Sequence, residues 1–188
     1  MGLPCALCGQ TVSDQAHLLA CQVPRRGGAT QRHDAVKNLV ARMAKDALVS
    51  VMVEPFRHAE SRFDLWFTSA GFNRAIDVTI VHPTCSTHVR ASSQGLSAAD
   101  RAEKRKLQIE GQQRLAQRIG AELAPFGAET FGAIGPMARD TLRQVAAAAD
   151  HTDINGVELL QAVSVAIVKG NWRLLEQAVG MLIRRGSI

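Results

Sequence analysis

The sequence lacks any apolar run long enough to cross a membrane, and it has few cysteines. A membrane-spanning helix needs about 18 consecutive apolar residues, and no run in this chain of 188 residues approaches that length. A secretory signal peptide is also absent, because Cys5 and Cys8 interrupt the apolar stretch that it requires. We therefore expect an intracellular protein with no membrane partner, in which four cysteines indicate metal binding rather than disulfides.

Basic residues outnumber acidic ones. Lysine and arginine total 22, aspartate and glutamate total 17, and the formal net charge is +5. This excess favours an anionic partner such as nucleic acid, although a mildly basic folded enzyme has the same balance. The chain length and an apolar share of 46% suit one hydrophobic core with a small appendage.

The N-terminal cysteines have the spacing of a zinc knuckle, C-x2-C-x8-H-x3-C, formed by Cys5, Cys8, His17 and Cys21. A tight turn presents the first pair, and one helical turn brings the second pair to a common face. Together they can form a closed, tetrahedral Cys₃His zinc site with a structural role. The alternative is a pair of buried free cysteines with an unrelated histidine. We assign residues 1–24 to this knuckle.

Two arginines, Arg25 and Arg26, follow the knuckle in a linker that contains Pro24, Gly27 and Gly28. We expect these guanidinium groups to contact the backbone of a nucleic acid.

Hydrophobic periodicity beyond the linker predicts an α/β core over 32–132 and a helical tail over 133–188. Strands are predicted at 49–55, 62–68, 74–84 and 128–131. Helices are predicted at 32–48, 97–123, 135–149, 156–168 and 171–184.

Acidic residues occur on each of the first three strands: Glu54, Asp64 and Asp77. The hairpin between the second and third strands can bring two of these carboxylates within reach of one Mg²⁺ ion, which prefers oxygen ligands. An ion so placed activates water and stabilises charge on a scissile phosphate. Alternatively, the carboxylates are strand-edge acids that are satisfied by Arg62, Arg74 or the backbone.

A basic partner for Asp77 is not found two residues later, where Thr79 stands. The long helix offers Lys106, which is four residues after Ala102 and shares its inward face, whereas Lys104 faces roughly the opposite side. A lysine on a face of small and apolar residues is costly unless it meets a carboxylate. The alternative is that its amine extends to the surface.

These segments resemble the C-terminal region of early-branching non-LTR retrotransposon reverse transcriptases. The resemblance is carried by CALC…H…C, RHD, VEP, RFDLWF, IDVTIVHP and AEKRKL, and then by PFGAETFGAIG and LLQAVSVAIVKGNWRLL, so it covers nearly the whole chain. In that family a CCHC knuckle precedes a restriction-enzyme-like endonuclease of the PD-(D/E)xK class. One departure is Phe63, where the family usually has proline before the first acid.

The resemblance implies a restriction-endonuclease-like core with Mg²⁺-dependent cleavage of DNA. It implies that Asp64 and Asp77 bind the metal and that the lysine comes from the following helix, which suits Lys106. It leaves Asp34 or Glu54 as the additional acid.

The resemblance also assigns a role to the start of the first predicted helix. Arg32 and His33 would lie near the phosphate, consistent with the inward angular position of His33 and the favourable field of a helix N-terminus for anions.

A second function also fits the sequence. The positive charge, the helical tail and the lack of a polymerase segment within the chain suit a non-catalytic component of a ribonucleoprotein such as a ribosome, in which the acids are relics and the nucleic acid is RNA. The endonuclease implies a nuclear protein, and the ribonucleoprotein component implies an organellar or cytoplasmic one. The apolar tail can also bind a protein partner, although packing on the core explains it equally well.

Overall fold

The computed structural model describes residues 3–12, 17–21, 28–55, 62–69, 71–85, 88, 97–149 and 155–184. Six strands lie within these ranges: β1 Leu3–Pro4, β2 Thr11–Val12, β3 Ser50–Val53, β4 Leu65–Ser69, β5 Phe72–Val81 and β6 Glu122–Glu129. Six helices lie within them: α1 His17–Ala20, α2 Gly28–Asp46, α3 Ala98–Leu107, α4 Glu110–Arg118, α5 Pro136–Ala148 and α6 Gly156–Arg184. None of these helices is both long and apolar enough to span a bilayer.

A mixed sheet of four strands forms the centre of the molecule, in the order β3-β4-β5-β6. The pairs β3–β4 and β4–β5 are antiparallel, and β5–β6 is parallel. A parallel pair needs a crossover connection, which contains α3 and α4. The prediction of an α/β protein with a three-to-four-stranded sheet and an N-terminal cysteine–histidine cluster is therefore confirmed.

Helices cover both faces of this sheet. On one face, Ile76 of β5 and Phe126 of β6 belong to the main core, to which α2, α5 and α6 contribute their buried sides. On the other face, Ala75 of β5 packs with Leu115 of α4 in a smaller cluster. Side chains of neighbouring strand residues point to opposite faces, so Asp77 lies on the same side of β5 as Ala75, toward α3 and α4.

The predicted long helix over 97–123 is wrong in two respects. It is broken into α3 and α4 at Ile109, whose extended backbone (φ −79°, ψ 101°) interrupts the helical ladder. It also ends early, because Gly120 takes the left-handed conformation (φ 65°) that terminates helices. Strand β6 consequently begins at Glu122, six residues before the predicted strand at 128.

The predicted helices at 156–168 and 171–184 are one continuous helix, α6. Gly170 lies between the two predicted ranges and permits α6 to approach α2 closely, because a Cβ there would lie 2.6 Å from Cγ of Arg32. Helix α2 begins at Gly28, four residues before the predicted start at Arg32. Gly28 likewise lies against Leu174 of α6, where a Cβ would meet side-chain atoms at 3.0 Å.

A buried carboxylate links α3, β6 and α5. The side chain of Glu103 is fully buried and accepts hydrogen bonds from the backbone N–H groups of Gly127 (2.9 Å), Met137 (3.0 Å) and Ala138 (2.9 Å). Two of these donors belong to the first turn of α5, whose N–H groups have no partner within the helix. Burial raises the pKa of Glu103, although the three backbone donors act in the opposite direction.

Replacing Glu103 with alanine should lower the free energy of unfolding by about 2–4 kcal/mol, because buried donors lose their acceptor. Urea denaturation provides the measurement, with Glu110→Ala as the matched control. Glu110 is exposed and pairs only with Arg114 among the contacts described, so its loss should cost at most about 0.5 kcal/mol. Equal losses in the two variants would contradict a structural role for the buried carboxylate.

Candidate functional site

The four predicted zinc ligands come together at the N-terminus. One ligand atom from each of Cys5, Cys8, His17 and Cys21 lies within 4.8 Å of the others. The sulfur atoms of Cys5 and Cys21 are 4.0 Å apart, and Sγ of Cys8 lies 3.3 Å from Nε2 of His17. Sulfurs bound at about 2.3 Å to a tetrahedral zinc are separated by about 3.8 Å. These residues can therefore hold a metal ion, and the donor set suits zinc.

Local structure explains why these ligands converge. The β1–β2 hairpin contains a turn in which Gly9 has φ 73° and donates its N–H to the carbonyl of Cys5 at 2.7 Å. Helix α1 carries His17 to the other side of the cluster. Cys5 and Cys21 are buried in a small apolar cluster with Ala178 of α6. The knuckle thus packs on the C-terminal half of α6.

The three acids identified from the sequence lie in register across three neighbouring strands. Val53 pairs with Leu65, and Leu65 pairs with Ile76. Each of the three acids is next in sequence to one of these paired residues. The backbone bonding continues to the acids: Glu54 N–H donates to the carbonyl of Asp64 at 2.8 Å, and Asp64 N–H donates to that of Ile76 at 3.0 Å. Continuation of the β4–β5 register sets Asp64 opposite Asp77, and opposite residues have Cβ atoms about 5 Å apart.

Asp64 immediately precedes β4, and among the described residues β5 continues beyond Ile76, its last residue paired with β4. Its Oδ2 accepts a hydrogen bond from the backbone N–H of Val78 at 2.7 Å. The same oxygen lies 3.1 Å from Nε2 of His33, which reaches down from α2. The carboxylate therefore binds the backbone of β5 beyond its last pair with β4, and the histidine fixes it in position.

Asp77 faces the opposite helical layer. Its Oδ2 lies 2.5 Å from Nζ of Lys106 on α3 and accepts a hydrogen bond from Nε2 of Gln112 on α4 at 2.9 Å. The side chain of Lys104, two residues before Lys106, is 63% exposed and pairs with Asp100. The structure thus brings together the lysine and the aspartate that helical geometry had predicted to meet.

Glu54 belongs to a separate cluster of charged side chains, formed with Lys37 and Asp34. Lys37 of α2 contacts Oε1 of Glu54 at 2.5 Å and Oδ1 of Asp34 at 3.0 Å. The hydrogen bonds to these carboxylates raise the pKa of Lys37 against the opposing effect of its burial. Asp34 and Glu54, the two candidates for the additional acid of the site, therefore both pair with the buried Lys37.

A cavity of about 350 Å³ joins the two aspartates. Its lining includes Asp64, Asp77, Lys106, His33 and Gln112, so residues from α2, β5, α3 and α4 and from the segment before β4 meet in one place. Glu54 is not among the residues that line it. The cavity is the second candidate site of the chain.

Three basic side chains, His33, Arg62 and Lys106, line the cavity with the two aspartates, and the His33–Asp64 pair has shifted pKa values. The hydrogen bond to Asp64 raises the pKa of His33, and this effect exceeds the opposing effect of burial. Burial alone would raise the pKa of Asp64, but the hydrogen bond and charge of His33 and the N–H of Val78 hold it below its ordinary value. Both shifts favour an imidazolium–carboxylate pair.

Arg32 does not have the position expected of a residue that contacts nucleic acid. It lies in the second turn of α2, is buried, and donates from Nη1 to Oδ1 of Asn171 on α6 at 2.7 Å. Because α2 begins four residues before the predicted start, Arg32 does not lie at the helix N-terminus, and its side chain is bound by α6. Arg25 and Arg26 lie outside the described residues. Arg74, suggested from the sequence as a partner of the strand acids, binds Glu122 and Asp140 and not Asp64 or Asp77.

Gln112 is the residue of the cavity that sequence reasoning missed. In a continuous helix over 97–123, Gln113 would share the inward face of Lys106, seven residues earlier, but the break at Ile109 turns Gln112 inward instead. Gln112 is 8% exposed, and its Oε1 atom is buried without a hydrogen-bond partner among the described residues. No pattern in the sequence marks this residue.

The two candidate sites differ in how completely they are assembled for a metal. Among the described residues, only the knuckle gathers three or more cysteine, histidine or acidic side chains within metal-binding distance of one another. The cavity offers two carboxylates, and the remaining ligands of a magnesium ion there would be water and substrate oxygens.

No protein-family model matches the chain, and no curated protein matches it. The two sites themselves therefore carry the functional argument.

We expect the purified protein to bind one zinc ion per chain, measured by elemental analysis. Cys8→Ser should lose most of this zinc because a neutral hydroxyl replaces a thiolate ligand. Cys85→Ser is the matched control, since Cys85 is not part of the cluster, and it should retain the metal. Zinc loss from both variants alike, or zinc-free wild-type protein, would contradict the assignment.

The His33–Asp64 pair predicts a defined pH dependence of stability. A raised histidine pKa contributes stability below about pH 6.5, and this is lost as the pH rises through the folded-state value. A lowered aspartate pKa contributes stability above about pH 3.9, and this is lost as the pH falls through its folded-state value. His33→Gln should therefore reduce the unfolding free energy more at about pH 5.5 than at about pH 9.

His88→Gln is the control for this measurement. Burial and the charge of Arg101 lower the pKa of His88, so protonation of His88 opposes folding in acid. Its replacement should show the opposite pH trend. A His33→Gln effect that is independent of pH would show that the pair does not carry charge.

Proposed function

We propose that this protein is a metal-dependent phosphodiesterase acting on nucleic acid, most specifically an endonuclease of the restriction-enzyme-like class. The observation that carries the proposal is the meeting of Asp64, Asp77 and Lys106 around one cavity of about 350 Å³. Two carboxylates and a lysine are the groups needed to bind a divalent cation and a phosphate together. The resemblance to retrotransposon endonucleases supports the same reaction.

Asp64 and Asp77 are the residues that would hold Mg²⁺. They face one space from neighbouring strands, and the geometry leaves positions for water and phosphate oxygens. When bound there, the ion would supply a water of lowered pKa and offset the charge of the scissile phosphate.

Lys106 has two roles in this proposal. Without substrate, its amine neutralises Asp77 and reduces the repulsion between the two carboxylates. With substrate, the amine is positioned to interact with a non-bridging phosphate oxygen or the attacking water. Hydrolysis forms a bond from the water oxygen to phosphorus and breaks a phosphorus–ester oxygen bond, and the leaving oxygen takes up a proton. Lysine stabilises the additional negative charge on the phosphate during this step.

His33 is a positioning residue that acts through Asp64. Its Nε2 lies 3.1 Å from the carboxylate and 3.2 Å from the backbone carbonyl of Val78, so it fixes the aspartate in the orientation the cavity requires. The net charge of +5 supports attraction of a polyanionic substrate. The knuckle supplies a second contact surface.

The ribonucleoprotein alternative is favoured by a different observation. Both aspartates already have protein partners: Lys106 and Gln112 bind Asp77, while His33 and the N–H of Val78 bind Asp64. Such satisfied carboxylates would also suit a relic site in an RNA-binding protein. Copurification with RNA, and affinity that falls steeply with salt, would support this alternative, provided that cleavage is absent.

We expect the zinc-loaded protein to nick DNA in the presence of Mg²⁺, measured on supercoiled plasmid and on labelled oligonucleotides. Asp77→Asn should reduce the nicking rate by about a thousandfold or more, because one of two metal ligands loses its charge. Lys106→Ala should reduce it by about a hundredfold or more. RNA oligonucleotides tested in parallel establish the preferred nucleic acid.

Lys104→Ala is the matched control for Lys106→Ala, because the two lysines share a helix and differ in whether they face the cavity. It should keep wild-type activity, and circular dichroism should show that all variants are folded. Absence of cleavage across DNA and RNA substrates and across Mg²⁺ and Mn²⁺ would overturn the proposed reaction.

A further inference from the structure

The helix α6 carries an apolar stripe on its solvent-facing side. Six large apolar side chains of this helix are substantially exposed: Val157 57%, Val165 50%, Val168 54%, Trp172 63%, Val179 43% and Ile183 60%. Isolated exposed hydrophobic residues are common, but a contiguous row indicates a binding surface. Other exposed apolar residues, such as Leu48 and Phe131, lie in turns between elements.

The stripe has the spacing of a coiled-coil seam. Val165, Val168, Trp172, Leu175 and Val179 follow one another at alternating intervals of three and four residues. The opposite side of the same helix is buried in the main core through Val163 and Ile167 and against α2.

Charges beside the stripe indicate what covers it. Lys169 and Glu176 lie on one flank, two helical turns apart, and both are exposed. A two-fold axis perpendicular to the helix and passing close to Trp172 would place Lys169 of each copy beside Glu176 of the other. The charges on this flank of one helix are therefore complementary to those on the same flank of a second, antiparallel copy.

We propose that a second copy of this chain covers the stripe, through antiparallel pairing of the two α6 helices about a two-fold axis near Trp172. The pairing sets the exposed valines and the tryptophan of one helix against those of the other, and it forms two Lys169–Glu176 ion pairs at the edge. The proposal is independent of catalysis, because neither the stripe nor its flank contributes to the cavity that contains Asp64 and Asp77.

The test is sedimentation equilibrium of the full, zinc-loaded chain over roughly 1–100 μM, a range that reveals a dimer of micromolar affinity. Wild-type protein should pass from monomer to dimer within this range. Trp172→Glu should raise the dimer Kd by about thirtyfold or more, since it puts charge at the centre of the seam. Leu48→Glu, at an exposed apolar residue outside α6, should leave the Kd unchanged.

Charge reversal separates this pairing from nonspecific association. Lys169→Glu and Glu176→Lys should each raise the Kd by about three- to tenfold, and the double reversal should restore it to near the wild-type value. In a Trp66→Phe background, Trp172 is the sole tryptophan of the sequence, and its emission should shift to shorter wavelength as the dimer forms.

Three results would overturn the proposal. The first is a wild-type chain that remains monomeric to about 100 μM, which means that the stripe is left to another protein or a lipid surface. The second is a dimer that Trp172→Glu does not weaken. The third is a double reversal that is no better than either single variant. Circular dichroism of each variant should match that of wild type, so that loss of the dimer is not loss of the fold.

Discussion

The antiparallel register of β4 and β5 is the constraint on which the candidate site depends. It sets Asp64 opposite Asp77, and a slip of one residue would move either carboxylate to the other face of the sheet. The register is held by burial of Leu65, Phe67 and Ile76 in the main core. The same apolar contacts that stabilise the sheet therefore determine the distance between two charged groups that would otherwise repel each other.

Opposite charge makes this arrangement tolerable inside a mostly apolar molecule. Each aspartate has a basic partner from a different helical layer, His33 from α2 and Lys106 from α3. A buried carboxylate without such a partner would be costly. Helices α2 and α3 thus have two roles. Their apolar side chains pack on the sheet, and their basic side chains, His33 and Lys106, face the cavity. The strand has Thr79 two residues after Asp77, and the lysine that binds Asp77 comes from α3 instead.

Local patterns in the sequence were sufficient for the hairpin, the inward side of α2 and the inward position of Lys106 on α3, because each depends on strand or helix periodicity. They were insufficient wherever the backbone responds to distant contacts. The helix break falls at Ile109, where no glycine or proline stands, and Gly111 lies two residues later inside α4, so Gln112 was missed. Gly28 and Gly170 fall outside the predicted helices, but they belong to α2 and α6 and permit these helices to approach closely, and that contact buries Arg32.

Binding of Mn²⁺ to the zinc-loaded protein tests the central claim most directly, because it reads the two carboxylates without requiring the correct nucleic-acid substrate. Electron paramagnetic resonance should detect one Mn²⁺ site per chain that Mg²⁺ displaces, and both Asp64→Asn and Asp77→Asn should abolish it. If Mn²⁺ does not bind, or binds equally well to both variants, the two aspartates do not form a metal site and the proposed chemistry is contradicted.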